Sequence, residues 1–175
     1  MTAQPTVQAA DKEDTVEIES SHAIEAFYAL ESLVTLLSQE IIRLTSSFLK
    51  VKEPYAYDDA RVFCWDIFVP AVADLNKERK LRDLVGYALD AAKGEPVTIE
   101  NKPFSDVVDS FARLEQLQRH TAIVDGKHLV DSLESGSCNS YEAPVRELYE
   151  AVKSFEKYRD LRRRLRNFVI DDIPF

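Results

Sequence analysis

Glycine, cysteine and histidine are scarce in this chain, which has 4, 2 and 3 of them among 175 residues. So little glycine leaves no glycine-rich phosphate loop and no nucleophile elbow. Cys64 and Cys138 lie far apart without metal-ligand spacing, and the histidines His22, His120 and His128 have no paired cysteines beside them. We therefore expect no metal, no cofactor and no catalytic residue.

The chain also lacks a run of apolar residues long enough to span a bilayer, and its first residues lack the basic and hydrophobic regions of a signal peptide. Two widely spaced cysteines are typical of a reducing compartment. The sequence therefore predicts a cytoplasmic protein that does not enter a membrane. The net charge of -9 excludes an overall basic surface for nucleic acid, although a local arginine patch can still bind DNA.

The apolar pattern divides the chain into three parts. Residues 1–18 are polar and have no apolar period, which predicts a disordered tail. Across residues 19–169, apolar side chains recur every three or four positions, the spacing of amphipathic helices. The sequence therefore predicts one all-α domain, a bundle of about five to six helices, followed by a C-terminal docking peptide at 170–175.

The first predicted helix has the clearest pattern, a seam of apolar residues at alternating spacings of three and four. Its members are Phe27, Leu30, Val34, Leu37, Ile41, Leu44, Phe48 and Val51. Further apolar residues widen this face, which favours a central bundle helix over an exposed two-stranded coil. A homo-oligomer in which the seam from residue 27 to 51 pairs between chains stays open.

Proline and glycine are expected to punctuate the remaining helices. Pro70 should kink or break an aromatic second helix, whose Trp65 is expected in the core. Pro96 to Asn101 resembles an extended connection, since a lone short strand without a partner is marginal. The pair Asp125-Gly126 indicates a turn after the fourth helix.

The last predicted helix, from about Tyr141 to Phe168, is acidic early and basic late, an order that complements the helix macrodipole. Its late arginines are candidates for phosphate contacts, and a neighbouring tyrosine is a candidate for stacking on a base. The same arginines are also explained as solvated charges, or as a cluster that holds the acidic C-terminus. The candidate nucleic-acid-binding residues are Tyr158, Arg159, Arg162, Arg163, Arg164 and Arg166.

The final residues, Asp171-Asp172-Ile173-Pro174-Phe175, combine acid, a rigid turn-former and an aromatic ring. Pro174 biases Ile173 toward an extended backbone, which lowers the entropy cost of docking. Phe175 offers an apolar anchor and a terminal carboxylate, while Asp171 and Asp172 favour a partner with a basic rim. We expect these five residues to form a partner-docking peptide.

The segment Asp171 to Phe175 resembles the acidic C-terminal tip of bacterial single-stranded-DNA-binding proteins. In that family the tip is the docking peptide for replication, recombination and repair enzymes. The resemblance covers only the tip, since the family's β-barrel body and its Gly/Pro/Gln-rich linker have no counterpart here. It implies partner enzymes that bind such tips, in a bacterial cell or through a phage or plasmid that uses bacterial enzymes.

Three functions follow as alternatives. In the first, the helical body binds single-stranded DNA and the tip recruits DNA-metabolism enzymes to it. In the second, the body is an adaptor or decoy that competes for those enzymes without touching DNA. In the third, Arg113 and His120 resemble the Arg…His signature of HEPN-type helical ribonucleases, although Leu114 stands where a polar residue often follows the arginine.

Overall fold

A computed structural model of the chain describes residues 14–50, 57–135 and 142–169. The elements in chain order are β1 (Thr15–Ile18), α1 (Ser20–Leu49), α2 (Tyr57–Val62), a π-helix (Phe63–Phe68), α3 (Val69–Ala92), β2 (Val97–Glu100), α4 (Asn101–Glu134) and α5 (Glu142–Arg166). Because α2, the π-helix and α3 follow one another without a break, the described residues form four helical rods. The predicted all-α class is confirmed, with four rods instead of five to six helices.

The rods pair as two hairpins, α1 with α3 and α4 with α5. Their shared core occupies one half of the molecule, since the buried residues of α1 end at Leu37, those of α4 end at Leu114 and those of α5 begin at Ala151. We call this the core half. The distal half comprises residues 38–49, 57–74, 115–134 and 142–150, and none of its described side chains is buried.

The predicted disordered tail over residues 1–18 is wrong at its C-terminal end. Thr15–Ile18 pairs antiparallel with Val97–Glu100, with Ile18 opposite Val97. The apolar residues of both strands are buried in the core, so each strand supplies the partner that the other needs. Four residues are too few for a clear period, and the partner lies far along the chain. Residues 1–13 lie outside the described part.

Two predicted interruptions have different outcomes: the turn predicted at Asp125-Gly126 is wrong, whereas Pro70, expected to kink or break its helix, follows a π-helix and does not break the rod. The helix passes through Pro70 because the preceding turn widens: the Val69 backbone N–H donates to the carbonyl of Cys64, five residues earlier. This π geometry accommodates a proline that lacks an N–H and crowds the preceding turn. The helix α4 likewise continues through Gly126, where a Cβ would lie 3.8 Å from Leu148 Cδ1 of α5. Packing between the two helices therefore overrides the turn signal.

Other expectations depend on where the core lies. Trp65 is 67% exposed and no residue of the π-helix is buried, so the prediction that this cluster lies in the core is wrong. The seam predicted from residue 27 to 51 is divided, because Leu30, Val34 and Leu37 are buried inside the chain's own core. These three residues are therefore not available to a second chain, and Val51 lies outside the described part.

The end of α3 matches its sequence signal. Lys93 and Gly94 have positive φ values of 50° and 94°, the left-handed geometry that terminates helices. Within the described ranges, no helix combines the length and apolarity needed to cross a bilayer.

Candidate nucleic-acid interface

A groove lined by arginines runs between α4 and α5, along the core half and up to its border at Glu115. Its volume is about 330 Å³, and α4 contributes Val108, Asp109 and Glu115 to its wall. The α5 wall holds arginines at helical spacings of three and four, which places them on one side of the helix. We call this the arginine groove, and its arginines are Arg159, Arg162, Arg163 and Arg166.

Local sequence determines which side of α5 these arginines occupy. Leu161 and Leu165 are buried in the core, so the arginines between and around them face away from the core, toward solvent or along a neighbouring helix. Positive charge late in a helix is also favoured by the partial negative charge at its C-terminus. Both effects concentrate guanidinium groups at the end of α5.

Carboxylates already pair with some of these guanidinium groups. Arg162 Nη1 lies 3.3 Å from Glu115 Oε2 of α4, and Arg163 Nη2 lies 3.0 Å from Asp160 Oδ1 one turn earlier. The Arg159 guanidinium lies 5.4 Å from the centre of the Phe155 ring. Such partly exposed pairs contribute little to stability, so a phosphate can replace the carboxylates as acceptor.

Two of the predicted nucleic-acid-binding residues lie elsewhere. Arg164 faces α1, where its Nη2 donates to Glu25 Oε2 at 2.7 Å, and its Nε donates to Asp160 Oδ2 at 3.0 Å. The hydrogen bond with Glu25 raises the pKa of Arg164 above its ordinary value. Tyr158 is buried, so its ring is not available to stack on a base. A helix turns by about 100° per residue, which separates sequence neighbours onto different sides.

The Arg113 and His120 pair lies on α4. Arg113 Nη2 donates to Asp74 Oδ2 at 2.8 Å, and Arg113 Nη1 lies 4.0 Å from Glu78 Oε1, so carboxylates of α3 hold this guanidinium. His120 lies about two turns further along α4, in a cleft of about 610 Å³ between α1 and α4. Within residues 14–50, 57–135 and 142–169, no group of His, Cys, Asp and Glu side chains is placed to hold a metal.

Sequence reasoning missed the acidic partners of the arginines. Asp160 could have been found, because it precedes Arg163 and Arg164 by three and four positions, the spacing of helical ion pairs. Glu25 and Glu115 could not, since they belong to other helices. The predicted docking residues Asp171, Asp172, Ile173, Pro174 and Phe175 lie outside the described residues.

Comparison of the chain with protein-family models, with curated proteins and with solved structures found no match.

Proposed function

We propose that this protein binds single-stranded DNA and recruits enzymes of bacterial replication, recombination and repair through Asp171–Phe175. The arginine groove is the observation that carries the DNA part, because it gathers four guanidinium groups on one side of α5. The recruiting part is supported by the resemblance of the five tip residues to the docking tip of single-stranded-DNA-binding proteins. The groove lies at the end of the helix from which the chain continues toward the tip.

Single-stranded DNA would bind the groove through its phosphates. Phosphate oxygens can accept hydrogen bonds from the same guanidinium groups that now pair with Glu115 and Asp160. A guanidinium group binds phosphate through two parallel hydrogen bonds. Binding of this kind releases counterions from the DNA and carries no base sequence information. The protein would therefore coat a strand without sequence preference.

The tip would engage an enzyme by a different chemistry. The Phe175 ring fills an apolar pocket, Pro174 keeps the peptide extended, and Asp171 and Asp172 approach a basic rim. An aromatic anchor of this kind is typically the hot spot of a small interface. DNA and enzyme then occupy separate parts of the same chain, which brings the enzyme to the bound strand.

A second function is favoured by the ion pairs within the groove. Arg162 and Arg163 have carboxylate partners, and the chain has a net charge of -9, so the body would repel DNA unless the groove dominates locally. In that case the protein is an adaptor or decoy that binds the same enzymes through the tip and never contacts DNA.

Fluorescence anisotropy with a labelled oligonucleotide tests the DNA part. We expect wild-type binding that weakens steadily as salt rises, and a loss of at least about tenfold when Arg163 and Arg166 are both changed to Glu. Arg43→Glu is the matched control, since Arg43 also pairs with an acidic residue three positions away but lies on α1. Absence of binding by the wild-type chain at low salt contradicts DNA binding and supports the adaptor.

Calorimetry with a nuclease or helicase that recognises such tips examines the recruiting part. Phe175→Ala is expected to weaken binding by about thirtyfold, which corresponds to about 2 kcal/mol. Tyr87→Ala is the control, because Tyr87 is an exposed aromatic residue on α3. Equal affinity of wild-type and Phe175→Ala protein rules out the docking role.

A further inference from the structure

The distal half of the α4–α5 hairpin, together with Val152 just beyond its border, carries a set of exposed large apolar side chains. Their exposed fractions lie between 41% and 61%. Isolated apolar residues are normal on protein surfaces, but a contiguous group marks an interface. We call this group the hairpin face, and it consists of Ile123, Val130, Leu133, Val145, Tyr149 and Val152.

These residues lie on one side of the hairpin. Gly126 lies beside Leu148, and Glu115 lies beside Arg162, so α4 and α5 run antiparallel. In both helices an exposed residue follows an inward-facing one by one position, as Tyr149 follows the half-buried Leu148. Each residue of a helix is rotated by about 100° from the residue before it. Because the two helices run in opposite directions, this rotation carries the residue after an inward-facing one to the same side of the hairpin in both helices.

The other side of the hairpin is the one that faces α1. Arg164 contacts Glu25 there, and the cleft between α1 and α4 contains Leu117 and Val124. The hairpin face is therefore turned away from the rest of the chain, and its exposure shows that no described element covers it.

The size of the hairpin face matches what a dimer requires. Six roughly half-exposed side chains, five of them aliphatic and smaller than the aromatic side chains that bury about 150 Å² or more, present on the order of 400 Å² of apolar surface. A standard interface buries about 800 Å² per partner, of which somewhat more than half is apolar. The helix α4 also extends about 30 Å beyond Leu114, its last buried residue, without a packed core to support it.

Charge identifies the partner. Residues 128–135 and 142–145, at the described end of the hairpin, contain three acidic residues and no lysine or arginine. Residues 153–166, beyond the other end of the face, contain seven basic residues against two acidic ones. A second copy packed antiparallel on the same face would bring the acidic end of each hairpin to the basic segment of the other, as a two-fold interface requires.

We propose that the hairpin face is a homodimer interface, with a two-fold axis near Tyr149. Each copy supplies the same six apolar side chains to the centre and the opposite charges to the two rims. This pairing completes the packing of the distal half of the hairpin, which the single chain leaves exposed. The basic segment includes the arginines of the groove, so the dimer would bring carboxylates of the second copy to the surface proposed for DNA, and DNA and the second copy would compete for it. The proposal does not rest on tip docking, and its tests need no DNA.

Sedimentation velocity over a range of concentrations tests the pairing. We expect the wild-type chain, of 19.9 kDa, to sediment at twice that mass. Tyr149→Asp places a charge at the centre of the interface and is expected to give the single-chain mass, whereas Tyr87→Asp, at a 76% exposed position on α3, remains a dimer. A wild-type protein that stays at 19.9 kDa at every concentration overturns the proposal.

Cross-linking locates the axis without relying on a disruptive variant. In a chain with Cys64→Ser and Cys138→Ser, Tyr149→Cys is expected to form a disulfide-linked dimer on mild oxidation, because the two copies of this position face each other. Tyr87→Cys in the same background is expected to stay monomeric on a non-reducing gel. A dimer that forms in solution but does not cross-link through position 149 uses a different face and overturns the proposal.

Discussion

Arg164 of α5 donates a hydrogen bond from Nη2 to Glu25 Oε2 of α1 at 2.7 Å, which joins the last described helix to the first long one. Asp160 accepts a second hydrogen bond from the same guanidinium group. This contact holds one side of α5 against α1 and leaves the opposite side, with Arg163 and Arg166, to line the arginine groove. The arginines of one run therefore have different surroundings on two sides of one helix.

Loss of the Arg164–Glu25 contact is expected to destabilise the fold slightly. Both side chains are partly exposed, so Arg164→Gln should lower the free energy of unfolding by less than about 1 kcal/mol. A double-mutant cycle with Glu25→Gln, measured by urea denaturation, should give a favourable coupling energy that shrinks as salt rises. A coupling energy of zero at low salt would show that the pair contributes nothing.

The strand pair should be a necessary part of the core. Ile18 is 2% exposed, so Ile18→Ala is expected to lower the free energy of unfolding by about 3 kcal/mol, through lost apolar burial and the cavity left behind. Glu17→Ala, on the exposed side of the same strand, should change it by less than about 0.5 kcal/mol. Similar small effects at both positions in a chemical denaturation experiment would argue that β1 is not packed.

The cost of burying the Glu78 carboxylate should depend on the positive charge of Arg113. The Glu78 side chain is buried at 3% exposure, and its Oε2 has no hydrogen-bond partner among the described residues. Arg113→Gln removes the positive charge beside this carboxylate, so the free energy of unfolding is expected to fall by about 2 kcal/mol. This is below the range for fully buried pairs because the Arg113 side chain is 37% exposed.

Thermal or urea denaturation of the double variant Arg113→Gln/Glu78→Gln checks this dependence. Because the amide carries no charge, the double variant should recover more than half of the loss. Asp74→Asn is the control, since Asp74 is a more exposed partner of the same arginine. An equal cost of Arg113→Gln with and without Glu78 would contradict the dependence.

The Glu40–Arg43 pair should make a small, pH-dependent contribution to the free energy of unfolding. The hydrogen bond donated by Arg43 lowers the pKa of Glu40 below its ordinary value of 4.5. Since the folded state favours the carboxylate, this contribution is present above about pH 4.5 and is lost as pH falls through the lower folded-state pKa. Arg43→Gln should therefore reduce the urea midpoint at pH 7 and have no effect in strong acid.

An NMR titration of the Glu40 carboxyl measures the same effect directly. Its midpoint should lie below 4.5 in the wild-type chain and rise toward that value in Arg43→Gln. A Glu40 that titrates at or above its ordinary value in the wild-type chain would show that the hydrogen bond does not persist in solution.

Local patterns in the sequence predicted some elements well. The period of the apolar residues predicted α1, and Gly94 correctly marked the end of α3, because helix formation and termination depend on neighbours within a few residues. The burial of Tyr158 could also have been predicted from the sequence, because Tyr158 lies on the same side of the helix as Leu161 and Leu165, and all three are buried.

Other features depended on residues that are distant in the sequence. Pairing of Thr15–Ile18 with Val97–Glu100 needed both strands at once, and neither is long enough to signal itself. Pro70 was tolerated because the π-helix before it widened the turn. Trp65 was exposed because its rod extends past the core half, which no local pattern reports.

The amino-acid sequence by itself determined that this protein is helical, that basic charge gathers late in α5, and that an acidic aromatic peptide follows. These properties come from periodicity, composition and the order of residues, which act over one or two helical turns. Only the tertiary structure decided which arginines line a groove and which hold α1, and that the core occupies one half of the molecule. Those outcomes depend on how the rods pack together, because burial and ion pairing between helices are set by distances between residues far apart in the chain.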